Sequence, residues 1–165
     1  MKEEIDVDNH LFVNTFKEHL RDLEEWGYSV KCLYPKEDSD DLVLSYDGKF
    51  RIEVIRNRRA DMDIFISPNF DVNYPKKDRI AFYDLVCFLS DGKDYIVPMY
   101  YGIFRCQSAY DSKIGDLCKK FFEYYNQIEE IMTKPNYQTV HKDIGKRVDI
   151  LWSELRDIYL CNKNE

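Results

Sequence analysis

Apolar and polar positions alternate most clearly between Asp41 and Ser67, where the chain reads DLVLSYDGKFRIEVIRNRRADMDIFIS. Three short runs rich in β-branched and aromatic residues are separated by polar turns, the pattern of an antiparallel meander. Asp47-Gly48 reads as a two-residue hairpin turn. It would set Tyr46 opposite Lys49, Leu44 opposite Arg51, Val43 opposite Ile52 and Leu42 opposite Glu53. For the second turn, a three-residue loop Asn57-Arg58-Arg59 pairs Val54 with Met62, Ile52 with Ile64 and Phe50 with Ile66, whereas a two-residue loop would put Asp61 and Asp63 opposite apolar residues. One face is then expected to carry Val43, Phe50, Ile52, Val54, Met62, Ile64 and Ile66 as a core wall. The other would carry Leu42, Leu44, Tyr46, Lys49, Arg51, Glu53, Ile55, Asp61, Asp63 and Phe65, with Glu53 opposite Asp63.

Helical spacing dominates elsewhere. Phe12, Phe16, Leu20, Leu23 and Trp26 recur at intervals of 3 and 4, which predicts a helix capped by Asp8 or Asn9 and stopped by Gly27. Tyr28 to Tyr34 predicts a first strand, ended by Pro35. A polar connection follows, Lys36-Glu37-Asp38-Ser39-Asp40-Asp41. Beyond the meander, a loop bounded by Pro68 and Pro75 leads to a helix expected from Asp78 to about Leu89, then a turn at Ser90-Asp91-Gly92-Lys93. Residues 95–104, interrupted by Pro98 and Gly102, read as an extended crossing. Two long helices are expected over about Ser112–Met132 and Thr139–Leu160, joined closely enough to form an antiparallel hairpin. The whole is a single α+β domain over residues 1–165, with an N-terminal helix, a four-stranded antiparallel meander sheet and three further helices.

Charge changes this picture by its placement. The net charge is -7; residues 1–47 carry -8 and the remainder +1. That asymmetry disfavours direct nucleic-acid binding and suits a basic partner. Glu37, Asp38, Asp40 and Asp41 form a docking-loop candidate, read alternatively as a solvated connection. Arg56, Arg58 and Arg59 crowd the second hairpin tip, as an anion or acidic-partner contact or simply an exposed turn. Five cysteines without a CxxC spacing read as reduced thiols, mostly in the core, of a cytoplasmic protein. The acidic start MKEEIDVD is no signal peptide, and no apolar run approaches the ~18 residues of a membrane span.

Catalytic signals are sparse. His10, His19 and His141 lie in no nucleophile motif, and no HExxH, Walker A, GxGxxG or GxSxG pattern occurs. One pattern is partial. Asp41 and Glu53, after a Glu-bearing helix, resemble the spacing in PD-(D/E)xK nucleases, which hold Mg²⁺ for phosphodiester hydrolysis. Ile55 stands where the lysine belongs, Arg56 points to the opposite face, and the expected register sets Asp41 across the sheet from Glu53. A metal cluster of Glu53, Asp61 and Asp63 is the associated alternative. No cofactor is expected.

The acidic N-terminal third, the Tyr/Arg/Glu sheet face and the lack of a catalytic motif give the chain the overall character of another group. In these respects it resembles the bacterial immunity proteins encoded beside polymorphic toxins. The resemblance implies a non-enzymatic, cytoplasmic inhibitor whose partner is another protein, a basic toxin domain. Glu37, Asp38, Asp40, Asp41, Tyr46, Arg51, Arg56, Arg58 and Arg59 are then the candidate contact residues. The alternative is a metal-dependent, nuclease-like enzyme centred on Glu53, Asp61 and Asp63.

Overall fold

In the computed structural model the described residues are 2–33, 42–56, 62–69, 78–94 and 107–162, with side chains described from residue 9 onward and not at 107–110, 159, 160 or 162. The chain is α+β, with order α1 (Lys2–His19), α2 (Arg21–Glu25), β1 (Ser29–Leu33), β2 (Leu42–Asp47), β3 (Phe50–Arg56), β4 (Met62–Pro68), β5 (Ile80–Ala81), α3 (Phe82–Leu89), α4 (Gln107–Met132) and α5 (Tyr137–Asn162). The strands form one antiparallel sheet in sequence order, β1 to β5. The meander is therefore present, extended by a fifth strand. Its two residues, Ile80 and Ala81, are too few to show a period. They take up the first residues of the helix expected from Asp78, which starts instead at Phe82.

The helical stripe behaves as its spacing requires. Phe12, Phe16, Leu20 and Leu23 are all buried. The helix starts at Lys2 rather than at a cap on Asp8 or Asn9, and it breaks for one residue at Leu20 before α2 resumes. Gly27 ends α2 at a backbone φ of +92°. The Gly27 N–H donates to the Glu24 carbonyl (3.1 Å) and the Tyr28 N–H to the Leu23 carbonyl (2.9 Å), closing a Schellman turn. A Cβ at Gly27 would meet nothing within 4 Å, so glycine is required here by conformation and not by space.

The sheet register differs from the sequence-based expectation in an instructive way. Strands β2 and β3 pair Asp47 with Arg51, Tyr46 with Ile52, Leu44 with Val54 and Leu42 with Arg56. Relative to the two-residue turn this is a shift by an odd number of residues, and it exchanges the faces of β2. Leu42, Leu44 and Tyr46 thus enter the core at 1%, 0% and 0% exposure, and Val43 turns to the outer face. Strands β3 and β4 pair Ile52 with Ile66, Val54 with Ile64 and Arg56 with Met62. This shift is even, so every residue of β3 and β4 keeps its expected face. Arg56 is the last residue of β3, and the expected loop Asn57-Arg58-Arg59 lies outside the described residues.

The core lies between this wall and the helices. Phe12, Phe16 and Leu23, then Phe82, Leu85 and Val86 of α3, Ile114, Phe121 and Ile128 of α4, and Tyr137, Ile144 and Val148 of α5 join the sheet residues in one cluster. Helix α4 lies chiefly along α1, and α5 along α3. The C-terminal pair is present as two consecutive helices after a short turn, but each finds its main packing elsewhere. Cys87 and Cys118 are buried, as thiols in an apolar core should be, and burial pushes the Cys118 thiol well above its usual pKa. Cys161, by contrast, is exposed on α5. Among the described residues no helix is long and apolar enough to cross a membrane.

Candidate functional site

Trp26 is the most informative side chain at the surface. It closes α2 at the C-cap, one residue beyond the last helical turn, so the Schellman reversal leaves it outside while carrying Tyr28 inward. Trp26 is 49% exposed and Tyr28 is 4% exposed. The indole meets the Tyr125 ring (centroids 4.7 Å, 62°) and the Phe122 ring (5.6 Å, 86°) edge to face. Trp26, Lys49, Tyr125, Asn126 and Glu129 line an open cleft of about 390 Å³. Three elements distant in sequence build it: the end of α2, the β2–β3 turn and the C-terminal part of α4.

The floor of this cleft is rigid. The Tyr28 and Tyr125 hydroxyls share a buried hydrogen bond of 2.9 Å. Burial pushes both phenols above their ordinary pKa, so both remain protonated at neutral pH. Phe50 packs against both rings, at 5.8 and 5.4 Å between centroids. The rim is polar. Lys49 Nζ donates to Glu129 Oε1 at 2.8 Å, and this bond holds the ammonium above its usual pKa. Asn69 Nδ2 donates to the Gly48 carbonyl at 2.7 Å, which steadies the turn that carries Lys49.

The residues singled out from sequence are distributed differently. Tyr46 lies wholly within the core, where it cannot meet a partner. Among the described residues its buried hydroxyl has no hydrogen-bond partner, and burial raises its pKa. Arg56 is likewise a core-facing residue, 4% exposed, with its guanidinium 4.8 Å from the centre of the Phe12 ring. Both are corrections to the expected contact surface: Tyr46 turns inward with the shifted register of β2, and Arg56 lies within β3 on the face of Phe50, Ile52 and Val54. Arg51 is on the outer face, half-buried, with Nε donating to Asp47 Oδ1 at 2.5 Å. Glu37, Asp38, Asp40, Asp41, Arg58 and Arg59 lie outside the described residues, as does Asp61. The strand ends that flank the acidic and basic connections, Leu42 and Arg56, are register partners.

The Glu53 and Asp63 pairing is also corrected. Glu53 lies between Ser45 and Phe65, and Asp63 opposite Ile55. Both stay on the outer face, but as diagonal neighbours, not directly opposed. Among the described residues no three His, Cys, Asp or Glu side chains gather as a metal site would require. Glu53 and Asp63 thus do not face each other directly, and Asp61, the third member of the expected cluster, lies outside the described residues.

Two further polar groupings have structural roles. Asp94 accepts two bonds from Lys120 Nζ (2.9 and 2.8 Å) and one from the Tyr124 hydroxyl (2.9 Å). Burial and the adjoining carboxylate push the Tyr124 pKa up to about 12, so it serves as a donor. Ser90 Oγ donates to the Asp94 carbonyl and accepts from the Asp94 N–H, which ties the end of α3 to this cluster. No base addresses that hydroxyl among these contacts. On the other side of α3, Trp152 Nε1 donates to Asp84 Oδ1 at 2.8 Å, joining α5 to α3. Burial raises the Asp84 pKa, opposed by this hydrogen bond and reinforced by the charge on Asp149. The native state therefore holds the Asp84 proton more tightly than the unfolded chain. Stability from this group is present below its ordinary pKa and is lost as pH rises through the raised value. Asp84→Asn keeps an acceptor for Trp152 and does not ionise. Urea midpoints measured from acid to neutral pH are expected to favour the variant increasingly as pH rises, and parallel profiles for variant and parent would refute this.

Comparison with protein-family models, curated proteins and solved structures finds no match for this chain. Its class is accordingly stated from topology: an α+β domain with a five-stranded antiparallel meander and helices over one face of the sheet.

Proposed function

We propose that this protein is a non-enzymatic, protein-binding domain of the immunity type, which neutralises a basic toxin domain in the cytoplasm. The observation that carries this reading is Trp26. A half-exposed tryptophan, backed by two aromatic rings and bordered by an ion pair, is the composition of an interfacial hot spot, in which an aromatic anchor sits inside a polar rim. Retaining so much apolar ring surface in water is costly for a residue that packing alone could have withdrawn. The acidic N-terminal third supports the polarity assigned to the partner, because complementary charge speeds encounter. Glu37, Asp38, Asp40 and Asp41 supply part of that field, as do Arg58 and Arg59 a local counter-field; Arg51 belongs to the outer sheet face.

The test is a calorimetric titration of the purified chain against the basic domain encoded by the adjacent reading frame. A one-to-one complex is expected. Trp26→Ala, which removes two edge-to-face contacts at the margin of the core with Tyr125 and Phe122, should lower stability by about 1 kcal/mol and leave the protein folded. It should weaken binding about thirtyfold, the ~2 kcal/mol of a hot-spot residue. An adjacent product that neither binds nor harms cells lacking this protein would overturn the proposal.

A further inference from the structure

The cleft contains a replaceable cation. Lys49 is the one cationic side chain among its described lining residues, and its side chain is 57% exposed on a hairpin turn, whereas its partner Glu129 is 27% exposed. An exposed lysine can return to water at little cost, because an ion pair at such a site contributes little. The carboxylate that it leaves stands on α4, in the lining of the cleft and more shielded from water than the lysine. The surroundings are acidic: Glu24 and Glu25 are exposed in the turn immediately before Trp26, and Glu123 and Glu130 are exposed on α4 on either side of Asn126, Glu130 being paired with Lys134 at 3.6 Å. An anion entering this cleft would meet carboxylates on both flanks and a lysine already neutralised.

We infer that the Trp26 cleft takes a guanidinium group, the side chain of a partner arginine, which displaces Lys49 from Glu129. This rests on the reading of the protein as a partner-binding domain and specifies what its principal site recognises. Three features match the group. The open part of the indole offers a π surface to a weakly hydrated planar cation. The Glu129 carboxylate can accept two parallel N–H bonds from one guanidinium. The Asn126 carboxamide oxygen supplies one more acceptor for a group with five N–H donors. The cleft volume, about 390 Å³, accommodates one long side chain and some water. A lysine ammonium, a compact and strongly hydrated charge, lacks the planar fork and stacks less well on the indole, and a partner carboxylate satisfies none of the three. The internal ion pair thus acts as a placeholder, keeping Glu129 paired until an arginine arrives.

The test uses the intact protein and nuclear magnetic resonance of its two tryptophan indole N–H groups, with Trp26 assigned from Trp26→Phe. N-acetyl-arginine amide, N-acetyl-lysine amide and N-acetyl-glutamate amide are titrated in parallel. The arginine probe is expected to shift the Trp26 indole saturably and to leave Trp152 in place, with the lysine probe several-fold weaker and the glutamate probe silent. Glu129→Gln should abolish the arginine response. Lys49→Ala should strengthen it about threefold, on the scale of one exposed ion pair. Preferential binding of the glutamate probe would overturn the inference, as would equal shifts at both indoles or weaker arginine binding in Lys49→Ala. If the partner complex forms with its Trp26 dependence but the arginine probe is silent, the inference falls and the binding-domain reading stands. If the adjacent product fails to bind while the arginine probe responds, the partner assignment falls and the cleft chemistry stands.

Discussion

Leu44→Asp is expected to leave the protein unfolded, whereas Val43→Asp, one residue earlier in the same strand, should fold and lose no more than about 1 kcal/mol. Leu44 is completely buried between Cys32 of β1 and Val54 of β3. A carboxylate there would be surrounded by hydrocarbon and would either ionise at great cost or take up a proton and remain without partners. A loss of about 5 kcal/mol or more is comparable to the entire stability of a domain of this size. Val43 lies on the outer face opposite Leu33 and Ile55, only half-buried, and an aspartate there keeps access to water. Circular dichroism and urea titration of the two variants provide the check. Equal tolerance, or a larger loss at Val43, would mean that the faces of β2 are assigned the wrong way round.

Gly48→Ala should cost about 2–3 kcal/mol, an unusually large penalty for adding one methyl group at a turn. The methyl carbon would fall 2.4 to 2.6 Å from three carbons of the Tyr28 ring. That ring cannot withdraw. Its hydroxyl is bonded to Tyr125, its face is against Phe50, and its backbone is held by the Schellman turn. The turn cannot readily withdraw either, because Asn69 holds the Gly48 carbonyl. The glycine is therefore required by a close approach and not by backbone dihedral freedom. Denaturation of Gly48→Ala, Tyr28→Ala and the double variant separates the two causes. With a steric origin the double variant should lose clearly less than the sum of the single changes. Strict additivity would assign the penalty to the turn itself.

The helical part of the fold was legible because its signal is redundant. Phe12, Phe16, Leu20 and Leu23 state the same period repeatedly, and Gly27 punctuates it. Strand faces were legible wherever parity was protected. Between β3 and β4, an error of two residues leaves each side chain on its proper face, since the alternation has a period of two. In strand β2 two signals conflict: the Asp47-Gly48 dipeptide favours a two-residue turn, and the strand's own pattern favours the opposite face. Leu42, Leu44 and Tyr46 already describe one apolar face, against Val43, Ser45 and Asp47 on the other. Burying three large side chains outweighs a favoured two-residue turn, and the pairing of Arg51 with Asp47 closes the longer connection. The cleft was not legible. Trp26 continues the helical stripe, which placed it in the core, and only its position as the final residue before a glycine stop hinted that it lies outside. Lys49 and Glu129 are too far apart in the chain for any local pattern to join them.

The meander also holds the Trp26 cleft apart from the strand ends at Leu42 and Arg56. Lys49 and Trp26 belong to the end of the sheet where β2 turns into β3; Leu42 and Arg56, from which the acidic and arginine-bearing connections depart, mark the opposite end. At roughly 3.3 Å per residue, the seven residues of β3 place these ends about 20 Å apart. That distance is well beyond the Debye length of about 8 Å at physiological ionic strength, so neither end shifts the other's protonation or local stability appreciably. It is also shorter than the breadth of a standard protein interface of about 800 Å² on each partner. A partner lying lengthwise along the strands would span both ends, and salt would weaken its ionic contacts at each, Glu129 included, while leaving the contact with the Trp26 ring largely intact.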